Sequence, residues 1–271
     1  MTTGARNTAV GYAALDNAST TSDNTAVGYD SLTQNTSGYS NVAVGKDALK
    51  ANTEGQSGVA IGADAATSNL TGHFVTAIGF EAATNTNASA NVCVGGMALK
   101  TNTTGAYSTA MGHNSLTANT TANYNSAYGY QSLSAVTTGA QNIGIGAQAG
   151  DQLTTGSNNV LIGYDVGSYI TNLTTGGNNV IIGSFSKPSA AAADSQLVLG
   201  YNVTGTGNSN FTFGKADTDS NIVFGATTIT APSDVRLKED IQDEEIGLEF
   251  INELRPVTYQ WKKAKDVPEE M

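Results

Sequence analysis

The chain has 271 residues, 35 of them charged (12 basic, 23 acidic), and a net charge of −11. An acidic balance of this size argues against nucleic acid and anionic membrane surfaces as partners, since both select a basic patch. No run of 18 apolar residues offers a membrane-spanning helix, and the single cysteine, Cys93, excludes an internal disulfide framework.

The first residues, Met1 to Arg6, lack the apolar core of a signal peptide. They open directly on a repeat. Asn7-Thr-Ala-Val-Gly-Tyr12 returns as Asn24-Thr-Ala-Val-Gly-Tyr29 and as Asn41-Val-Ala-Val-Gly-Lys46. The closing glycine falls at 11, 28, 45, 62, 79, 95, 112, 129, 146 and 163, a step of 17 residues with one of 16. Weaker copies follow at Gly183, Gly200, Gly214 and Gly225, with steps of 20, 17, 14 and 11. Thr2-Thr-Gly-Ala-Arg-Asn7 matches Thr137-Thr-Gly-Ala-Gln-Asn142, so the chain is expected to begin inside a repeat and to be part of a longer fibre. A fixed period of this length marks a solenoid, in which no unit buries enough to stand alone and stacking supplies the core.

The columns of the repeat, numbered from the glycine, predict its structure. Positions −3 and −1 hold β-branched pairs such as Val42/Val44, Val59/Ile61 and Ile143/Ile145, the alternation of a short strand. Position −2 is small in nine units: Ala9, Ala26, Ala43, Ala60, Ala77, Cys93, Ala110, Ala127 and Gly144. With no polar face, the strand is expected to be covered on both sides, the small column meeting other copies of the chain. Position +4 is mostly leucine (Leu15, Leu32, Leu49, Leu99, Leu116, Leu133), which predicts a second short strand. Turn words such as Asn102-Thr-Thr-Gly105 close each unit. The fold class is therefore all-β, a parallel β-solenoid of 17-residue coils. Fourteen coils would make a rod of roughly 65 Å. From Val160 the −2 column turns large (Leu161, Ile181, Val198), which predicts a change of packing, to a wider or a differently interleaved core. Regular repeats thus occupy residues 1–167, irregular β repeats or a neck 168–230, and a third segment 231–271.

These Asn-x-Ala-Val/Ile-Gly units resemble the head repeats of trimeric autotransporter adhesins of the YadA type, and similar repeats in bacteriophage tail fibres. The resemblance covers roughly residues 5–165. It implies a homotrimer of left-handed β-rolls around a threefold axis, although the 17-residue period departs from the shorter unit usual in that family.

The third segment is of another kind, because 17 of the 35 charges fall in residues 234–271. Residues 243–255 read as a helix, with Asp243 as cap, Leu248, Ile251 and Leu254 on one face and Pro256 as its end. Val257 to Trp261 alternates like a strand. Ser233-Asp234, Leu237-Lys-Glu239, Ile241 and Leu254-Arg-Pro-Val-Thr-Tyr-Gln-Trp-Lys262 resemble the intramolecular chaperone of phage endosialidases and tail spikes, the peptidase S74 family. That resemblance implies a domain that trimerises, guides folding of the fibre before it and then cuts itself off. It implies a dyad of Ser233 and Lys238 and a scissile bond between Pro232 and Ser233. A serine hydroxyl needs a base, and a lysine acts as one only when burial or nearby positive charge, here Arg236, lowers its pKa. From the two residues alone, Ser233 as a helix N-cap and Lys238 as a solvated charge is the simpler reading; the flanking match favours the dyad. Against activity stand the end of the chain at Met271, short of the usual chaperone length, and the stiff proline before the bond.

Other candidates are weaker. Cys93 fills the small column, and His73 and His113 lack a third ligand at useful spacing, so no metal and no cofactor is expected. Asp30, Asp47, Asp64, Glu81 and Asp165 share position +2, as a solvated acidic face or a cation ladder. Tyr12, Tyr29, Phe80, Tyr130 and Tyr164 share position +1, packed on neighbouring loops or open to sugars. The expected function is a phage tail fibre, in the virion and extracellular, attaching to a host-surface glycan or protein. The alternative is a bacterial surface adhesin without proteolytic activity. An enzyme acting on external substrates is the weakest reading, because no carboxylate pair stands out in residues 1–230.

Overall fold

The computed structural model describes residues 4–226 apart from 19, 217 and 218. The chain divides into two units, Met1–Pro232 and Ser233–Met271. The expected helix at 243–255 and strand at 257–261 lie outside the described residues.

The first unit is built on one sheet. Its strands are β1 (Thr8–Val10), β2 (Thr25–Val27), β3 (Val42–Val44), β4 (Val59–Ile61), β5 (Thr76–Ile78), β6 (Val92–Val94) and β7 (Thr109–Met111). They continue as β8 (Ser126–Tyr128), β9 (Ile143–Ile145), β10 (Val160–Ile162), β11 (Val180–Ile182), β12 (Leu197–Tyr201), β13 (Asn210–Lys215) and β14 (Ser220–Val223). Each strand pairs with the next in chain order, and no α-helix occurs among the described residues. Pairing is parallel and in register from β1 to β13, so Ala26 lies on Ala43 and Ala43 on Ala60. Coils spaced by about 4.8 Å give a parallel β-solenoid about 60 Å long. The fourteenth unit is not a coil: β14 runs back antiparallel along β13, Asn210 opposite Val223.

The direction of the small column corrects the sequence reading. Ala26, Ala43, Ala60, Ala77, Cys93, Ala110 and Ala127 are fully buried within their own chain. They point into the coil, and the β-branched residues at −3 and −1 point out. The reason is the thinness of the coil. Across its lumen the −2 position meets the leucine at +4: a Cβ on Gly144 would lie 2.7 Å from Leu133 Cγ. A leucine on one side leaves room only for Ala, Cys or Gly on the other.

The change at Val160 has the same cause. Where −2 becomes Leu161, the +4 positions before and after it become Gly150 and Gly167. A Cβ on Gly150 would collide with Leu161 Cδ1, and one on Gly167 would touch Leu161 Cδ2 at 3.4 Å. Large and small residues have exchanged sides; the core there is inverted rather than wider.

The second apolar segment is a run of turns instead of the expected strand. Leu32, Leu49, Leu116 and Leu133 have φ of 48–50°, a left-handed conformation that costs a non-glycine residue about 1–2 kcal/mol. Full burial offsets that cost, and so does bonding between coils: Leu32 N donates to Ala48 O and Leu49 N to Ala65 O, both at 3.0 Å. The closing glycines adopt φ near 130–140°, and a Cβ on Gly45 would lie 2.5 Å from Gly62 O in the next coil. Only glycine fits there.

The asparagine that opens most units forms a buried ladder, interrupted where position −4 is Gly58, Val75 or Ser108. Asn159 N and Nδ2 both donate to Asn142 Oδ1 at 3.0 Å, and Nδ2 also reaches Gly176 O at 3.0 Å. Asn179 repeats the pattern on Asn159 Oδ1, its N at 3.1 Å and its Nδ2 at 2.9 Å. Position −4 thus satisfies the backbone of its own coil and of its neighbours. Replacing Asn159 with alanine strands the buried Asn179 amide and Gly176 carbonyl, with an expected loss of about 2–4 kcal/mol. A denaturant midpoint measured against the parent checks this; an unchanged midpoint would contradict the ladder's role.

Candidate functional site

Three surface rows run along the solenoid. The first is the outward face of the strands. Ile61 is 39% exposed, Ile145 41% and Leu199 44%. Strand register aligns Ile61 with Ile78 and Tyr128 with Ile145. At −1 the stripe is apolar, and among the described residues it stays half-buried to exposed.

The second row is acidic. All five carboxylates at +2 were expected to share a face, and lysines neutralise part of it. Lys50 Nζ bridges Asp30 at 2.8 Å and Asp47 at 2.9 Å, Lys46 Nζ adds a contact to Asp47 at 3.0 Å, and Lys100 Nζ holds Glu81 at 2.6 Å. Burial works to raise the Asp47 carboxyl, but hydrogen bonds from Lys50 and Lys46 outweigh it and hold the group below the usual carboxylate range. Asp165 has no such lysine among the described residues. Burial, helped by Asp151, pushes its carboxyl up.

The third row is aromatic and less uniform than position +1 suggests. Tyr12 and Tyr29 stack with centroids 5.2 Å apart and planes 12° apart, and His113 stacks on Tyr130 at 6.0 Å. A second aromatic pair, Tyr107 and Tyr124 at position −5, stacks at 5.2 Å. Column inspection at −3 to +4 missed it; the identical spacing of 17 between the two tyrosines was the available signal. A T-shaped cluster of Tyr164, Tyr169, Phe185 and Tyr201 spans the irregular coils.

Two single residues have local explanations. Cys93 sits in the buried small column between Ala77 and Ala110, and burial pushes its thiol up to about 12. His73 Nδ1 accepts from Gln56 N at 3.2 Å, one coil away.

The catalytic candidates Ser233 and Lys238, with Pro232 before the bond, lie outside the described residues. Residues 233–270 match the peptidase S74 family, chaperone of endosialidase. No curated protein and no solved structure matches the chain. An S74 match following a parallel β-solenoid supports a tail-fibre-like protein with a chaperone segment. The S74 segment begins at Ser233, where the second unit of the chain also begins.

The electrostatics of the acidic row are testable apart from any ligand. Asp165 has a folded pKa raised above its unfolded value, so its charge destabilises the fold at neutral pH. The penalty disappears as pH falls through the folded pKa. Asp165→Asn is therefore expected to raise the melting temperature at pH 7 and to leave it unchanged near pH 3. A loss of stability at pH 7 would show that the carboxylate has a partner role instead.

Proposed function

We propose that the chain is a phage tail-fibre shaft for host-surface attachment, assembled as a homotrimer, whose S74 segment assists trimerisation and is then released by self-cleavage before Ser233. The observation that carries the cut is a coincidence at one bond. The S74 match starts at Ser233, directly after Pro232, and Lys238 stands five residues on.

The chemistry closes. Lys238 as a neutral amine takes the proton of Ser233 Oγ. The oxygen attacks the carbonyl carbon of Pro232, the C–N bond breaks, and the nitrogen of Ser233 takes a proton to leave as an amine. An ester now joins Pro232 to Ser233 Oγ. Water hydrolyses it, giving a new carboxylate on Pro232 and a free S74 segment with its serine restored. The reaction runs once per chain. A lysine performs the first step only with its pKa lowered by burial or by a neighbouring cation such as Arg236.

Support for the trimer comes from the outward stripe of Val, Ile, Met and Tyr at −1. The buried alanines give none, because their own coil already covers them. A continuous apolar row repeated on every coil is what a neighbouring copy covers, and the likeness of the repeats to YadA-type head repeats points the same way.

Intact mass and light scattering on parent and Ser233→Ala test both parts. The parent, 27.7 kDa before cutting, is expected to lose about 5 kDa as residues 233–271, and Ser233→Ala to keep its full mass. Both are expected to size as trimers. Ile61→Asp with Ile78→Asp puts carboxylates into the contact, at a cost of several kcal/mol, and is expected to yield monomers. A parent of unchanged mass would remove the self-cleavage and leave the adhesin reading; a monomeric parent would remove the trimer.

A further inference from the structure

The irregular coils carry an aromatic group unlike the rest of the row. Tyr164 and Phe185 meet edge to face at 5.3 Å and 83°, Tyr169 and Phe185 at 4.9 Å and 62°, and Phe185 and Tyr201 at 5.9 Å and 89°. Parallel pairs such as Tyr12/Tyr29 cover one another's faces. Total exposure is alike in the two groups, 49% for Tyr164 and 52% for Tyr201 against 50% for Tyr29; what differs is that the rings here meet edge to face and not face to face. The rings come from three successive coils, so their spacing is held by the β10–β11–β12 ladder.

A cation stands beside them. Lys187 is only 8% exposed. Its Nζ lies 5.4 Å from the centre of the Tyr169 ring and donates to Asn202 Oδ1 at 2.9 Å. No carboxylate pairs with it among the described residues. Buried ammonium groups are normally paired. Asn202 takes one of its three protons, and a neutral amide oxygen does not neutralise the charge.

We propose that Tyr164, Tyr169, Phe185 and Tyr201, with Lys187, form a binding surface for a carbohydrate that bears a carboxylate. Apolar sugar faces lie on open aromatic rings, and the carboxylate is drawn to the one unneutralised cation of the group. This rests on the host-attachment reading and gives that attachment a place on the shaft and a ligand class.

The test uses the full chain and calorimetric titration with oligogalacturonate, a carboxylated probe, beside maltooligosaccharide of the same length as a neutral one. The expected result is saturable binding of oligogalacturonate, about tenfold or more tighter than the neutral sugar, and weakened by salt. Tyr164→Ser is expected to weaken it about tenfold, Tyr29→Ser to leave it unchanged, and Lys187→Gln to abolish the preference for the carboxylated probe. Should Lys187→Gln misfold, the salt dependence of the parent and the exposed Tyr164→Ser variant still decide. Three results would overturn the proposal: no saturable binding of oligogalacturonate, equal affinity for both probes, or a Tyr164→Ser variant that turns monomeric and so marks the rings as a contact between copies. If self-cleavage and trimer size persist while binding fails, the saccharide site alone is wrong. Loss of cleavage and trimer in the parent would instead remove the fibre reading beneath it.

Discussion

The narrow lumen of each coil governs the rest of the structure. A strand of three residues faces a turn so close that their inward side chains share one layer. In most coils that layer holds one large residue and one small one, as Leu133 and Gly144 do, or Gly150 and Leu161 in reverse; where +4 is Ala66 or Ala83, both are small. Because stacking is in register, the pair repeats as two columns along the axis. Within the strand and the turn after it, an inserted residue would turn a leucine outward and an outward valine into the lumen; length changes fall in the loop, where the steps of 16 and 20 residues keep Ala77 on Cys93 and Leu161 on Ile181.

This constraint decides which residues remain for other work. With the small column and the leucines consumed inside, and the asparagines spent on backbone bonds between coils, columns −3, −1, +1, +2 and −5 are left outward, together with loop residues such as Glu54 and Leu70. The fold needs little from them, so they vary. They hold an apolar stripe, a lysine-clamped acidic row and aromatics that stack in some places and meet edge to face in others. Function on such a shaft resides in columns that stacking leaves free.

Much of the fold was legible in the sequence because stacking in register writes itself as spacing. The strand positions, the parallel solenoid and the glycine corners all follow from the columns. The inward sense of Ala26 to Ala127 did not, because alternation gives two faces without saying which is inside. Bulk was taken as the mark of the core, whereas a thin coil places bulk opposite the strand, at +4. The left-handed leucines were missed for a related reason: an apolar residue every 17 positions looks like a strand until the backbone angle is known. The Tyr164–Tyr201 cluster was hidden because Tyr169 lies in an irregular loop outside any column, and Lys187 falls where the +4 leucine would stand. Of the proposed self-cleavage site, the sequence carries Ser233, Lys238 and the match to the S74 family around them, all in residues outside the described part.

The paired columns are tested most directly by exchanging one pair. Gly144→Leu alone is expected to overfill the lumen and lower the melting temperature, and Leu133→Gly alone to leave a cavity and lower it too. Together they rebuild the arrangement found at Gly150 and Leu161. The account predicts that the double variant melts well above the additive expectation, with a coupling of about 1–3 kcal/mol. Losses that simply add would contradict the claim that these two residues share one layer of the core.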